Sequence, residues 1–340
     1  MKRESLETIR DLMSRALGIR GITGEAASLI LEDHLGAQLE EKFTHGIGKF
    51  LLLDSALSEK QGQPHVVKRT ASCALVNGNK DLGQLAAKFC IDLLIDMAKQ
   101  NGIAMVGMYN ASRYGRLSIH GKRIADAGLL GIVMNSGGPS AVVPFGGIDP
   151  ILGTNPICFS FPSTEGAVAF DFSTSERVWG EIRQAVLENR ELPNNAFLDK
   201  DGNVTRDPQA AESVLPFDGP KGYALCLAIE ILTGALVSAK MGLAVGTQYD
   251  LGFLFIAIDP SVFVTQSMFQ SDIDILFRSI QASRGRPSHD LPRLPGEGAR
   301  LKRRASEAEG SITVDEETLA KLIQMSKSVN GVLDSNNKMN

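Results

Sequence analysis

The run Phe43-Thr44-His45-Gly46-Ile47-Gly48-Lys49 sets a hydroxyl, an imidazole and an ammonium within six positions, at the start of an apolar segment. A helix that opens at Thr44 puts His45 and Lys49 four residues apart on one face. A protonated imidazole gives a proton to a carbonyl or an imine. An ammonium one turn away holds the carboxylate of the same small molecule. Together they supply most of what the reduction of a 2-oxo acid requires, apart from the hydride.

Other chemistries find no anchor. No GxGxxG follows a strand, so a standard Rossmann unit is not indicated. Gly78-Asn79-Lys80-Asp81-Leu82-Gly83 has the glycine spacing of a P-loop, but Gln84-Leu85 stand where Lys-Ser/Thr must be. Five histidines without HxxxH or HExxH make a protein-built metal site an unexpected feature. The cysteines (Cys73, Cys90, Cys158, Cys226) are far apart in apolar runs and read as buried thiols in a reducing cytoplasm.

The elements that must position the histidine follow from length and patterning. A chain of 340 residues suits one large domain or two interleaved ones. A net charge of −4 offers no attraction to nucleic acid or to an anionic membrane. No run is expected to approach the length of a transmembrane helix, and the N-terminus does not read as a signal peptide. No internal repeat is visible. Residues 4–17 and 23–40 read as amphipathic helices, the second capped by Thr23, and the segment after His45 reads as continued helix. Strands are predicted at 71–76, 103–108, 130–134, 157–161, 167–172 and 253–258, several short and wholly apolar. Helices are predicted at 82–99, 116–127, 221–238, 262–282 and 316–328. Residues 285–300 read as a surface excursion, and 335–340 as a frayed end.

Six segments in order carry a family resemblance: Thr44-His45-Gly46, Gly153-Thr154-Asn155-Pro156, Asp171-Phe172-Ser173-Thr174-Ser175, Gly219-Pro220-Lys221-Gly222-Tyr223-Ala224-Leu225, Ala257-Ile258-Asp259-Pro260 and Leu294-Pro295-Gly296-Glu297. The set resembles the malate/L-lactate dehydrogenase family of non-Rossmann oxidoreductases. Its relatives include sulfolactate, ureidoglycolate and diketogulonate oxidoreductases and the piperideine- and pyrroline-2-carboxylate reductases. The resemblance implies an α/β fold with a mixed, largely antiparallel sheet and a helical region built from both chain ends. It divides the chain into residues 1–70 plus 300–340 (substrate and dimerisation) and 71–299 (cofactor binding), with the active site in the cleft. It also implies a cytoplasmic homodimer that uses NAD or NADP to move a hydride to or from a small 2-oxo or 2-hydroxy acid such as malate or lactate. A cyclic imino acid reductase and a catalytically inactive, cofactor-binding homologue are the alternatives.

The resemblance also distributes roles. His45 becomes the proton donor, and Thr44, in place of a usual Ser, either orients the imidazole or caps a helix. Lys49 replaces an Arg and binds the substrate carboxylate as a point charge rather than a planar fork. Arg113 replaces a histidine; it stays protonated, so His45 handles the proton alone, and Arg113 holds either an anionic substrate or the cofactor pyrophosphate. Ser112, Tyr114, Gly115 and Arg116 are matched to the cofactor, with Arg116 a candidate for a 2′-phosphate. Thr154, beside Asn155, falls on the substrate side. Asp171, Phe172 and Ser173 resemble the cofactor segment, where Asp171 either bonds ribose hydroxyls or is a turn aspartate. Lys221 meets cofactor or substrate, and Gly296 and Glu297 meet the nicotinamide end. Trp179-Gly180-Glu181 replaces a run that usually carries a cation, which removes a positive group near the pocket.

Overall fold

A computed structural model describes residues 2–287 and 291–328 of the chain. The frayed end expected at 335–340 lies outside the described residues. Contacts divide the chain into two units: Met1–Lys60 with Tyr114–Arg116 and Glu297–Asn340, and Gln61–Arg113 with Leu117–Gly296.

In the first unit the two ends of the chain meet in a short antiparallel ribbon, with strand Lys2–Ser5 on Ser311–Val314. Helix Leu6–Ile19 follows, and Ile9, Met13, Ala16 and Leu17 recur at helical spacing on its buried face. Leu322 and Met325 of helix Glu316–Met325 are equally buried. Full burial of each such side chain contributes about 1.5–3 kcal/mol. Helix Glu297–Glu309 was not legible in the sequence. It buries no residue, so no apolar stripe marks it out from the surface excursion expected there.

Helix Gly24–Leu39 differs from its neighbours. Asp33, His34 and Gln38 are buried along with Ile30, Leu35 and Leu39, so its inner face is partly polar. Thr23 occupies the N-cap position without a side-chain cap bond. The continued helix expected after His45 is broken into Ile47–Phe50 and Leu53–Glu59.

The second unit is built on a seven-stranded sheet. Its order is His65–Arg69, Cys73–Asn77, Ile103–Tyr109, Gly252–Ile258, Leu130–Asn135, Ile157–Phe161 and Val168–Phe172. Cys73–Asn77 and Ile103–Tyr109 are parallel, joined by the crossover helix Gly83–Asn101; the other neighbours in this sheet are antiparallel. The fold is therefore the mixed, largely antiparallel non-Rossmann sheet that the resemblance implied. Central strand Gly252–Ile258 is apolar on both faces. Leu254 clusters with Met134, Ile157, Ile229 and Val237 on one side. Phe253 and Phe255, at the alternate positions, are buried on the other. The edge strand His65–Arg69 escaped the sequence reading because its mostly exposed, basic sequence and its bulge hide the alternation.

One expectation about length is corrected. Residues Pro220–Val237 form a stretch of 18 residues with mean hydropathy 1.4, long and apolar enough to cross a membrane by length and composition. The reason is local. Ile229 and Val237 pack on the sheet, while Leu227, Ile231 and Leu236 remain on the outer surface, so the stretch is apolar on several sides.

Candidate active site

Thr44 and His45 lie in a single 3-10 turn, Phe43–His45, which ends at Gly46. Gly46 adopts φ −78° and ψ −147°, outside the helical region, and a new helix starts at Ile47. The helix face expected to carry both His45 and Lys49 is thus corrected: a backbone break separates them. Thr44 is not a helix cap either. Its Oγ1 lies 3.0 Å from His45 Nδ1. A hydroxyl both donates and accepts, so this bond survives when the ring gains or loses a proton. His45 is half-buried and Lys49 is exposed.

The segment Tyr114–Arg116 packs in the same unit, where its polar groups have partners. Asp33 is fully buried and accepts from the backbone N–H groups of Gly115 (2.9 Å) and Arg116 (3.2 Å). Arg116 is 5% exposed. Its guanidinium pairs with Glu40 and donates to the carbonyls of Glu32 (3.0 Å) and Asp33 (3.3 Å). A guanidinium so committed is not available to a 2′-phosphate. A Cβ on Gly115 would clash with the Asp33 carboxylate, so Gly115 serves this packing. Tyr114 is buried.

In the second unit, loops gather at the ends of the parallel strands. The P-loop look-alike has no free cradle. Gly78 and Lys80 donate their amides to the carbonyls of Tyr109 and Asn110, both at 2.8 Å. Ser112 is buried, and its Oγ accepts from Gly83 N–H at 2.8 Å, at the start of helix Gly83–Asn101. Arg113 behaves differently. The residue is exposed, yet burial around its guanidinium pushes its pKa down from the ordinary value. Both observations hold for a side chain standing in a recess. The guanidinium lies over Gly138, where a Cβ would come within 2.6 Å of Nη2. Gly138 also has φ +107°, so glycine is needed there twice over. Among the described residues no acidic side chain pairs with Arg113; its backbone N–H donates to Gln248 Oε1 at 3.4 Å.

Thr154 and Asn155 form the wall next to Gly137-Gly138. Thr154 Oγ1 donates to Gly137 O at 3.3 Å, and Asn155 Oδ1 accepts from Gly137 N–H at 2.9 Å. The Asn155 amide donates to Glu230 Oε2 at 2.6 Å, and the other oxygen of that buried carboxylate accepts from Gly242 N–H at 2.7 Å. Burial raises the pKa of the adjacent Cys226 thiol to about 11. This polar knot is satisfied by its own members, so it fixes the loop Gly153–Pro156 without consuming a ligand.

The remaining sequence candidates sit mostly on the sheet's edge strand, Val168–Phe172. The Asp171 carboxylate accepts from Leu117 N–H at 3.1 Å, at the start of helix Leu117–Asp126. Phe172 is 41% exposed and meets Phe217 edge-on. Ser173 Oγ bonds to Ser175. Gly296 has φ +79° and packs against the carbonyl of Ala169 on that strand. Glu297 opens helix Glu297–Glu309. Lys221 is well exposed near the start of helix Pro220–Thr233 and pairs with Asp218 at 3.1 Å.

The malate/L-lactate dehydrogenase family profile matches residues 5–323. The chain belongs to this family. It is 35% identical over 338 residues to the malate/(S)-sulfolactate dehydrogenase of Methanothermus fervidus, covering 96% of this chain and 98% of that protein. It is 31% identical to the ureidoglycolate dehydrogenase (NAD(+)) of Escherichia coli K12, covering 92% and 93%. The solved sulfolactate dehydrogenase from Methanocaldococcus jannaschii superposes with a TM-score of 0.87 at 29% identity, over 96% of this chain and 97% of that one.

For this member of the malate/L-lactate dehydrogenase family, sequence reasoning missed His34, Gln38 and the Gly137-Gly138 loop. The loop had a visible signal, Ser136-Gly137-Gly138-Pro139 directly after a strand. His34 and Gln38 had a fainter one: two polar residues four apart within an apolar run.

Proposed function

We propose that this protein is a nicotinamide-dependent oxidoreductase that interconverts a 2-oxo acid and a 2-hydroxy acid bearing a second acidic group, of the malate or sulfolactate type. The observation that carries the choice is Arg113: a guanidinium in a recess, over a glycine, with no acidic partner among the described residues. Such a group is most stable when an anion joins it. A lactate-type acid or a cyclic imino acid has a single carboxylate and offers no second acidic group to the Arg113 guanidinium.

The roles follow. His45 gives its proton to the carbonyl oxygen in reduction and takes it back in oxidation, with Thr44 holding Nδ1. Lys49 takes the 2-carboxylate and Arg113 takes the distal carboxylate or sulfonate. Thr154 lines the substrate side. The bound dinucleotide supplies or receives the hydride. Residues that fit it are the exposed Phe172 ring, Ser173, Lys221, and Gly296 with Glu297, where the positive φ of Gly296 brings main chain close to the edge strand. The burial of Arg116 against Glu40 removes the cation matched to a 2′-phosphate and favours NAD(H). The four cysteines are free thiols, in keeping with a reducing cytoplasm.

We place the homodimer contact at the exposed apolar residues Leu227, Ile231, Leu236 and Leu243 of the second unit. The first unit, where dimerisation was expected, shows scattered exposed apolar residues such as Ile19, Leu52 and Leu301. Ile231→Glu yields a monomer in sedimentation equilibrium; an unchanged dimer removes this surface from the reading.

The test of function is nicotinamide absorbance with both cofactors against oxaloacetate, sulfopyruvate, pyruvate and piperideine-2-carboxylate. Turnover highest on the two diacids with NADH supports the proposal. Preference for the imino acid, or cofactor binding without turnover on any substrate, overturns it.

A further inference from the structure

We propose that His34 and Gln38 are positioning residues that set the direction in which the His45 ring projects. The inference rests on the reading of His45 as the proton donor and concerns what keeps that ring in place.

The two residues are four apart on helix Gly24–Leu39 and both are buried. His34 Nδ1 lies 3.1 Å from the His45 carbonyl oxygen. A carbonyl only accepts, so the proton of this bond is on Nδ1 of His34. The ring is held at that angle edge-on to Phe50, with centroids 5.9 Å apart. Gln38 Oε1 accepts from Ile47 N–H at 3.2 Å, and its amide nitrogen donates to Thr313 O at 2.6 Å. The donor bond fixes which end of the amide faces Ile47.

The two contacts therefore bracket Gly46, one on the carbonyl before it and one on the amide after it. Gly46 is where the chain leaves helical geometry. A Cβ there would clash with Gln38 Oε1, so the bracket closes only around a glycine. Gly46 and Gly48 are weak helix formers, so local propensity alone does not fix the backbone through residues 44–49. Two side chains from a neighbouring helix, one of them tied to Thr313 near the far end of the chain, hold it in a turn. Without them the turn loosens, and His45 is free to leave its present direction.

The test uses the full-length enzyme. His34→Leu and Gln38→Leu each lower kcat at saturating substrate about tenfold, while the Kd for NADH, read from its fluorescence, stays within about twofold. His34→Asn restores most of the loss, because its amide nitrogen occupies the place of Nδ1. His34→Gln, whose amide reaches the place of Nε2, does not. The ring cross-peaks of His45 in 1H–13C spectra of the free protein move in both Leu variants and return in His34→Asn. Unchanged kcat and unmoved cross-peaks in the Leu variants overturn the proposal, as does equal behaviour of His34→Asn and His34→Gln. If the Leu variants do not fold, the Asn and Gln pair decides. Retained turnover in His45→Ala is the separate failure of the proton-donor reading, and the ring spectra still report whether the bracket holds the loop.

Discussion

His45→Ala lowers kcat by about 10²–10⁴-fold, the usual worth of a positioned general acid, and leaves the Kd for NADH within about twofold. The expectation follows from the way the ring is held. Thr44 Oγ1 holds Nδ1 and His34 holds the His45 main chain, so in the proposed role Nε2 meets the substrate oxygen. The loss therefore falls on the chemical step rather than on binding. Steady-state turnover in both directions checks it, since the same nitrogen gives the proton in reduction and takes it in oxidation. Unchanged turnover in either direction removes His45 from its role.

Arg113→Leu has the second largest effect, and it depends on the substrate. Arg113 is exposed, so its loss removes a charge-assisted hydrogen bond worth about 1.5–3 kcal/mol. For a diacid this lowers kcat/KM by about tenfold or more. Pyruvate, which has no second acidic group, changes by less than about twofold. Arg113→Lys recovers part of the diacid activity, since an ammonium restores the charge but not the fork. Equal losses on diacid and monoacid contradict a specificity role. A fall in NADH affinity with the substrate ratio unchanged identifies the pyrophosphate as the anion that Arg113 holds.

Much of the architecture was legible because the sheet is buried on both faces. Strands such as Ile103–Tyr109 and Gly252–Ile258 are short, largely apolar runs, and such runs declare themselves in the sequence. The elements that escaped lack that signature. His65–Arg69 is a largely exposed edge strand, and helix Glu297–Glu309 buries nothing. Ribbon Lys2–Ser5 with Ser311–Val314 pairs residues about three hundred positions apart, and four residues carry too little pattern to announce a partner at that distance.

The candidate site divides along a similar line. Residue type alone separated His45, which can move a proton, from Arg113, which cannot, and excluded a P-loop by the two residues after the second glycine. Sequence could not rank the cations. Lys49, Arg113 and Arg116 are equal charges on paper. Tertiary packing commits Arg116 to Glu40 and leaves Arg113 without an acidic partner among the described residues. Nor did sequence place the break at Gly46, since the bonds that set it come from His34 and from Gln38, itself tied to Thr313. The chain's own order of residues thus determined which groups have the chemistry and that the second unit is built on short, buried apolar strands. Only the folded structure decided which of those groups are still available, because availability depends on partners brought in from distant parts of the chain, and burial makes an unmet partner costly.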